Sequence, residues 1–158
     1  MKVMRFIAIL IAAVVVVLLV ACGSEGILGG GPEGEWEANQ NRWRDAGMTS
    51  YGYEFRRVCF CPNTNLVRIT VIDGVITAVH DVDSGTDLDS SEFRFYETVD
   101  DLFDIVRDAL TNADSIEVTY DEKLGYPTQI TIDFIANAID DELWITASGV
   151  APLLTTPQ

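Results

Sequence analysis

Two cysteines set two positions apart are the residues of this chain best suited to chemistry, in Cys59-Phe60-Cys61-Pro62. In a strand, residues at this spacing point to the same side with Cα atoms roughly 6.6 Å apart, near the upper limit of disulfide geometry. A disulfide there requires the chain to bend, and Pro62 can mark the bend. Three interpretations stay open: a local disulfide, a reduced buried pair, and a functional thiol pair that is redox-active or binds a metal.

A second candidate site is the acidic stretch 81–92, where carboxylates recur with the spacing of an EF-hand loop. Glycine stands in the fifth place of this window rather than the sixth, and the predicted preceding element is a strand rather than a helix. A solvated acidic loop is therefore the competing interpretation. The possible Ca²⁺ ligands are Asp81, Asp83, Asp87, Asp89 and Glu92.

The sequence gives little support for nucleophilic catalysis. A catalytic triad needs a histidine or lysine base, and neither His80 nor Lys123 lies in a motif. No phosphate-cradling glycine loop and no zinc signature is present in the sequence. We therefore expect a protein that is not an enzyme, with His80 as a partly buried structural residue.

The first 22 residues follow the three-part layout of a secretory signal. A charged start and the apolar run 6–18 precede Leu19-Val20-Ala21-Cys22, which resembles the lipobox of bacterial lipoproteins. We predict a signal peptide over residues 1–21 and lipidation of Cys22, whose acyl chains (palmitate among them) would give durable anchoring. The apolar segment is shorter than the ~20 residues of a spanning helix. The predicted location is extracytoplasmic, on a bacterial membrane.

The charge of the chain restricts its partners. The formal net charge of −15 would repel phosphate backbones and anionic lipid headgroups. We therefore expect no nucleic-acid partner, and a membrane association that depends on the lipid. The predicted organisation is a Gly-rich tether over 22–34, one domain over 35–150 and a disordered tail over 151–158.

Periodicity predicts two helices and six strands, in the order helix, three strands, helix, three strands. Apolar residues alternate along the strands, as in an antiparallel sheet with one buried face. We predict an α+β fold with both helices on one face of that sheet. Ile69-Thr70-Val71 and Ile130-Thr131-Ile132 occupy comparable places and suggest a possible internal duplication. The helices span 35–46 and 98–112, and the main strands span 51–58, 66–72, 115–121, 128–134 and 142–148.

Asp73-Gly74 predicts a two-residue hairpin turn that fixes the register of the second and third strands. Counted outward from the turn, Val67 lies opposite His80, which places His80 on the same face as Val67. Thr98 is predicted to cap the second helix, with Asp101 completing a capping box.

A set of landmarks resembles a bacterial family of exported proteins, domain of unknown function 6174. The landmarks are Trp43; Tyr51-Gly52-Tyr53; Cys59-Phe60-Cys61-Pro62; Asp73-Gly74; Val99-Asp100-Asp101-Leu102-Phe103; Tyr120-Asp121; Gly125-Tyr126-Pro127; and Asp140-Asp141-Glu142. The resemblance implies an envelope-associated lipoprotein or secreted domain without an assigned activity. We expect a non-catalytic binding or adaptor domain that meets another envelope protein through its exposed sheet face or edge. The alternative is a Ca²⁺-binding or thiol-active envelope protein.

Overall fold

The computed structural model describes residues 30–136, 138 and 141–153. The predicted signal peptide, Cys22 and most of the tether lie outside these residues. The described elements are α1 (Pro32–Ala46), β1 (Tyr51–Val58), β2 (Val67–Ile72), β3 (Val75–Asp81), β4 (Thr86–Asp87), a 3-10 helix (Ser90–Phe95), α2 (Val99–Asn112), β5 (Ser115–Tyr120), β6 (Pro127–Asp133) and β7 (Leu143–Pro152).

The strands form one antiparallel sheet in the order β4-β3-β2-β1-β7-β6-β5. Pairing of β1 with β7 joins two meanders, each preceded by a helix. The predicted α+β class is therefore confirmed. The strand count of six is wrong, because the short β4 pairs with the end of β3 inside the segment predicted as a loop. The internal duplication stays a prediction.

Individual residues explain where α1 begins and ends and where α2 begins. Pro32 lies in the first turn of α1, and Gly47 ends that helix in the left-handed region at φ 62°, which glycine adopts without strain. Thr98 and Asp101 form the predicted capping box at the start of α2. The apolar stripe of α2 is buried, as its three-to-four spacing predicts; its members are Val99, Leu102, Phe103, Val106 and Ala109.

The core lies between the helices and one face of the sheet. Trp43 of α1 meets Tyr51 edge-on with ring centroids 5.3 Å apart, and Trp36 donates from Nε1 to the carbonyl of Phe103 in α2. Both tryptophans of α1 therefore pack toward the core. The sheet contributes these residues to the hydrophobic core cluster: Tyr51, Tyr53, Phe55, Val67, Ile69, Val71, Val79, Ile130, Ile132, Ile145 and Ala147.

The β2–β3 hairpin keeps the predicted register only next to its turn. A bulge in β3 shifts the pairing by one residue, so that Val67 lies opposite Asp81 rather than His80. The predicted position of His80 on the Val67 face is therefore wrong. The physical reason is burial, because the shift places Val79 in the core instead of the smaller Ala78.

Strand β7 extends two residues past the predicted domain boundary at 150. Its last residues, Ala151 and Pro152, lie opposite Gly52 and Tyr51 of β1. Residues 154–158 of the predicted tail lie outside the described part of the chain. Among the described residues, no helix combines the length and the apolar character needed to cross a bilayer.

Gly125, between β5 and β6, supports a close approach of α1. A Cβ atom at Gly125 would lie 2.4 Å from the backbone oxygen of Asn39, whereas a Cβ at Gly85 would meet nothing within 4 Å.

Both glycines have positive φ, so Gly85→Ala should cost about 1–2 kcal/mol from backbone conformation alone. We expect Gly125→Ala to cost a further ~1–3 kcal/mol from the clash. Urea unfolding of both variants tests this, and equal losses would contradict it.

Candidate functional site

The two faces of the sheet differ sharply. One is covered by the helices, and the side chains of the other stay at least partly exposed. On this open face the strands present rows of paired residues across β1, β7 and β6. The rows run Val58–Trp144–Thr131 and Arg56–Thr146–Gln129.

The end of the open face where β1 terminates is apolar. Val58 and Trp144 lie directly opposite one another and are 38% and 39% exposed, while Phe60 in the following loop is 87% exposed. We call these three residues the rim patch. An open groove of about 340 Å³ runs beside them, lined also by Cys59, Thr131, Glu142 and Leu143. Exposed aromatic and aliphatic side chains grouped in this way are typical of contact surfaces.

Cys59 and Cys61 lie at the edge of the rim patch and form a disulfide, with Cα atoms 5.1 Å apart. This separation falls in the ordinary range for disulfides and is shorter than in a straight strand. Both cysteines lie beyond the end of β1 at Val58, so the backbone between them is not held extended by strand pairing. Further along the same loop, Asn63 takes a positive φ of 65°. Arg56 donates from Nε to the carbonyl of Thr64 at 3.2 Å and holds the loop against the strand.

The open face carries little of the negative charge of the chain. The strand registers place four acidic and two basic residues on it: Glu54, Asp87, Glu117, Asp133, Arg56 and Arg68. The net charge of the whole chain is −15. A partner without strong positive charge therefore meets less repulsion and less desolvation on this face than on other surfaces.

A second groove of about 540 Å³ lies on the open face near the start of β1. Glu54 and Arg68 form an exposed ion pair there at 3.1 Å, beside Gly52 and Leu153. Exposed pairs of this kind contribute little energy. The rim patch, with its apolar side chains, is the stronger contact site.

The structure does not gather the predicted Ca²⁺ ligands into one site. Asp81 ends β3, and its carboxylate accepts from Nδ2 of Asn65 at 2.7 Å and from the amide of Ser84 at 2.9 Å. These bonds, that of Asn65 first, lower the pKa of Asp81. Asp87 lies in β4 and contacts Nδ1 of His80 at 2.8 Å.

Asp89 serves the backbone, because its side chain accepts from the amide of Ser91 at the start of the 3-10 helix. Hydrogen bonds from Ser91 lower the pKa of Asp89. Asp83 is exposed, and Glu92 lies in the 3-10 helix. Across residues 30–136, 138 and 141–153, no cluster of three or more His, Cys, Asp or Glu side chains is placed to hold a metal ion.

A half-buried ion pair lies on the other face, at the end of β1. Arg57 pairs with Glu97, and their side chains are only 20% and 17% exposed. Arg57 also donates to the carbonyl of Phe95 at 3.2 Å, so that the pair connects β1 to the segment before α2. Burial raises the pKa of Glu97, and the Arg57 guanidinium opposes that shift.

The sequence identifies Cys59 and Cys61 as a candidate site, but it does not identify the rim patch. Alternation along the strand predicted over 142–148 places Trp144 on the face opposite Ile145, but no local pattern marks it as a contact residue. The available signal was a large aromatic residue on the wet side of a strand. Its neighbour Val58 belongs to a different meander, and only the pairing of β1 with β7 brings the two together.

Comparison with known protein families gives a match over most of the chain. The model of a family described as "Family of unknown function (DUF6174)" matches residues 35–152. No curated protein and no solved structure matches the chain. The matched range includes every described strand and the disulfide loop.

The Arg57–Glu97 pair should make stability depend on pH. Because the folded pKa of Glu97 is raised, its contribution is greatest below the ordinary glutamate value and is lost as pH rises through the folded pKa. Arg57→Met removes the opposing positive charge and should raise that pKa further. We expect a loss of about 1–3 kcal/mol at pH 7 and a decline in stability that extends to higher pH than in the wild type.

Urea unfolding between pH 4 and pH 8 measures both quantities. Arg68→Met is the matched control, because it breaks the exposed pair with Glu54 and should cost under ~1 kcal/mol. An Arg57→Met variant with the same pH profile as the wild type would contradict the interpretation.

Proposed function

The chain belongs to the family of unknown function DUF6174, and we propose that it is a binding or adaptor domain that contacts another protein through the rim patch. The observation that carries this proposal is the group formed by Val58, Phe60 and Trp144, which is exposed on a sheet whose other face is fully used by the core. We further propose that it acts at a bacterial membrane, anchored through Cys22.

The composition of the rim patch supports a protein partner. Tryptophan is enriched among the residues that dominate binding energy, because a large ring buries much area at low conformational cost. Val58, directly opposite Trp144 in the β1–β7 pair, extends the apolar surface of the tryptophan. The groove beside them can receive one or two side chains of a partner.

The charge distribution supports a partner whose contact surface is apolar or weakly charged. A strongly basic surface would be drawn to the acidic parts of the chain rather than to the open face. Since the rim patch contains no charged side chain, its binding energy would come from apolar burial, with the nearby polar residues Thr131 and Thr146 at its margin.

The membrane proposal depends on the sequence alone. Leu19-Val20-Ala21-Cys22 resembles a lipobox, and the Gly-rich residues that follow would hold the domain clear of the headgroups. An extracytoplasmic location also suits the disulfide, since such bonds persist in oxidising compartments.

Removal of Trp144 should abolish partner binding while the fold stays intact. From detergent-solubilised envelopes, the tagged full-length chain should recover a protein that Trp144→Ala recovers roughly 30-fold less, equivalent to a hot-spot loss of about 2 kcal/mol. Val75→Ala, which truncates an exposed side chain at the opposite end of the sheet, is the matched control. Equal recovery by both variants, quantified by mass spectrometry, would refute the rim patch as the contact site.

The anchor has a separate test. Cys22→Ala should move nearly all of the chain from the membrane fraction to the soluble fraction, because the acyl chains have no other attachment site. Cys61→Ala keeps the anchor and should stay in the membrane fraction. Immunoblots of the two fractions measure the distribution, and membrane retention of Cys22→Ala would rule the anchor out.

A further inference from the structure

The Cys59–Cys61 disulfide connects two residues that are already neighbours. It closes a loop of three residues and joins no separate elements of the fold. Because the entropy that a disulfide removes from the unfolded chain grows with loop length, a loop this short gives little stabilisation. The hydrogen bond from Arg56 to Thr64 already holds the loop to β1. Structural support therefore does not account for this bond.

The bond is open to attack from solvent. Cys61 is exposed and Cys59 is half-buried, while Phe60 between them is 87% exposed. Thiol–disulfide exchange requires an incoming thiolate to reach one of the sulfurs, and exposed disulfides are the labile ones. The more exposed Cys61 is the sulfur that an incoming thiolate meets first.

The groove beside the disulfide can hold the molecule that carries the thiol. Cys59 itself lines the groove, together with the apolar walls formed by Val58, Phe60 and Trp144. An extended polypeptide segment could place apolar side chains against these walls with a cysteine beside the disulfide. Glu142 is the one charged residue among those that line the groove, so a segment without acidic side chains meets little repulsion there.

We propose that Cys59–Cys61 is a thiol–disulfide exchange site that oxidises a cysteine pair in an extended polypeptide held in this groove. One partner thiolate attacks Sγ of Cys61, the S–S bond breaks, and Cys59 leaves as a thiolate that takes a proton from solvent. The second partner thiolate then attacks the partner sulfur of the mixed disulfide and releases Cys61. The partner loses two electrons and two protons, and this chain gains both.

This activity goes beyond the proposed binding function, because a partner of the rim patch need not contain thiols. It also has its own readout, the redox state of two named cysteines. Loss of partner capture and loss of exchange can therefore be observed separately.

The test uses the full-length chain with Cys22→Ser, so that Cys59 and Cys61 are its only cysteines. The probe is a reduced synthetic peptide with two cysteines flanked by leucine and valine, in excess. We expect oxidation of one equivalent of peptide, at least about tenfold faster than by oxidised glutathione at the same concentration, because the groove raises the effective concentration of the thiol. Mass spectrometry after alkylation measures both products. A disulfide that the peptide reduces only after denaturation, or no faster than it reduces oxidised glutathione, would overturn the proposal.

Two further variants separate exchange from structural support. Trp144→Ala should bring the rate down toward that of glutathione with the disulfide intact, whereas Val75→Ala should leave the rate unchanged. Cys59→Ala should trap a mixed disulfide between Cys61 and the oxidised peptide. The double variant Cys59→Ala/Cys61→Ala should melt within a few degrees of the Cys22→Ser chain, and its failure to fold would make the bond a structural one and refute the inference.

Discussion

The fold depends on a column of aromatic side chains that β1 presents to the helices. Tyr51, Tyr53 and Phe55 alternate along the strand, with ring centroids 5.9 Å and 6.3 Å apart in succession. Trp43 of α1 meets the first of them edge-on, and Tyr96 meets the last, arrangements that aromatic rings favour. Because β1 is also the strand that joins the two meanders, these contacts fix α1 and both halves of the sheet together.

The polar ends of the same rings position α2. The Tyr51 hydroxyl accepts from the amide of Val99 in the first turn of that helix, and the Tyr53 hydroxyl donates to the carbonyl of Glu97. Burial raises the pKa of both tyrosines, so their hydroxyls stay protonated and able to donate. The buried helix-end amide of Val99 is costly without a partner, which explains the tyrosine at position 51. The Tyr53 hydroxyl satisfies a carbonyl in the segment before the helix instead.

The sequence predicted the features that depend on local pattern and missed those that depend on competition between distant contacts. The alternation of apolar residues along the strands is enough to place Tyr51 and Ile130 on the buried face, and Thr98 is enough to mark the start of α2. The β3 bulge was not predictable from the turn, because it depends on Val79 outcompeting Ala78 for core space. The rim patch requires the pairing of β1 with β7, whose residues Val58 and Trp144 are 86 positions apart in the sequence, and no local pattern contains that pairing.

The position of the rim patch has a physical consequence for recognition. Val58 continues the strand whose opposite side carries the aromatic column, and Trp144 is directly flanked by the buried Ile145. The backbone beneath the patch is therefore held by buried core residues before any partner arrives. A contact surface on such a backbone loses little conformational entropy on binding. The packing of the aromatic column of β1 thus stabilises the fold and also holds the backbone of the open face in place. This favours a contact site that is already formed over one that a partner must induce.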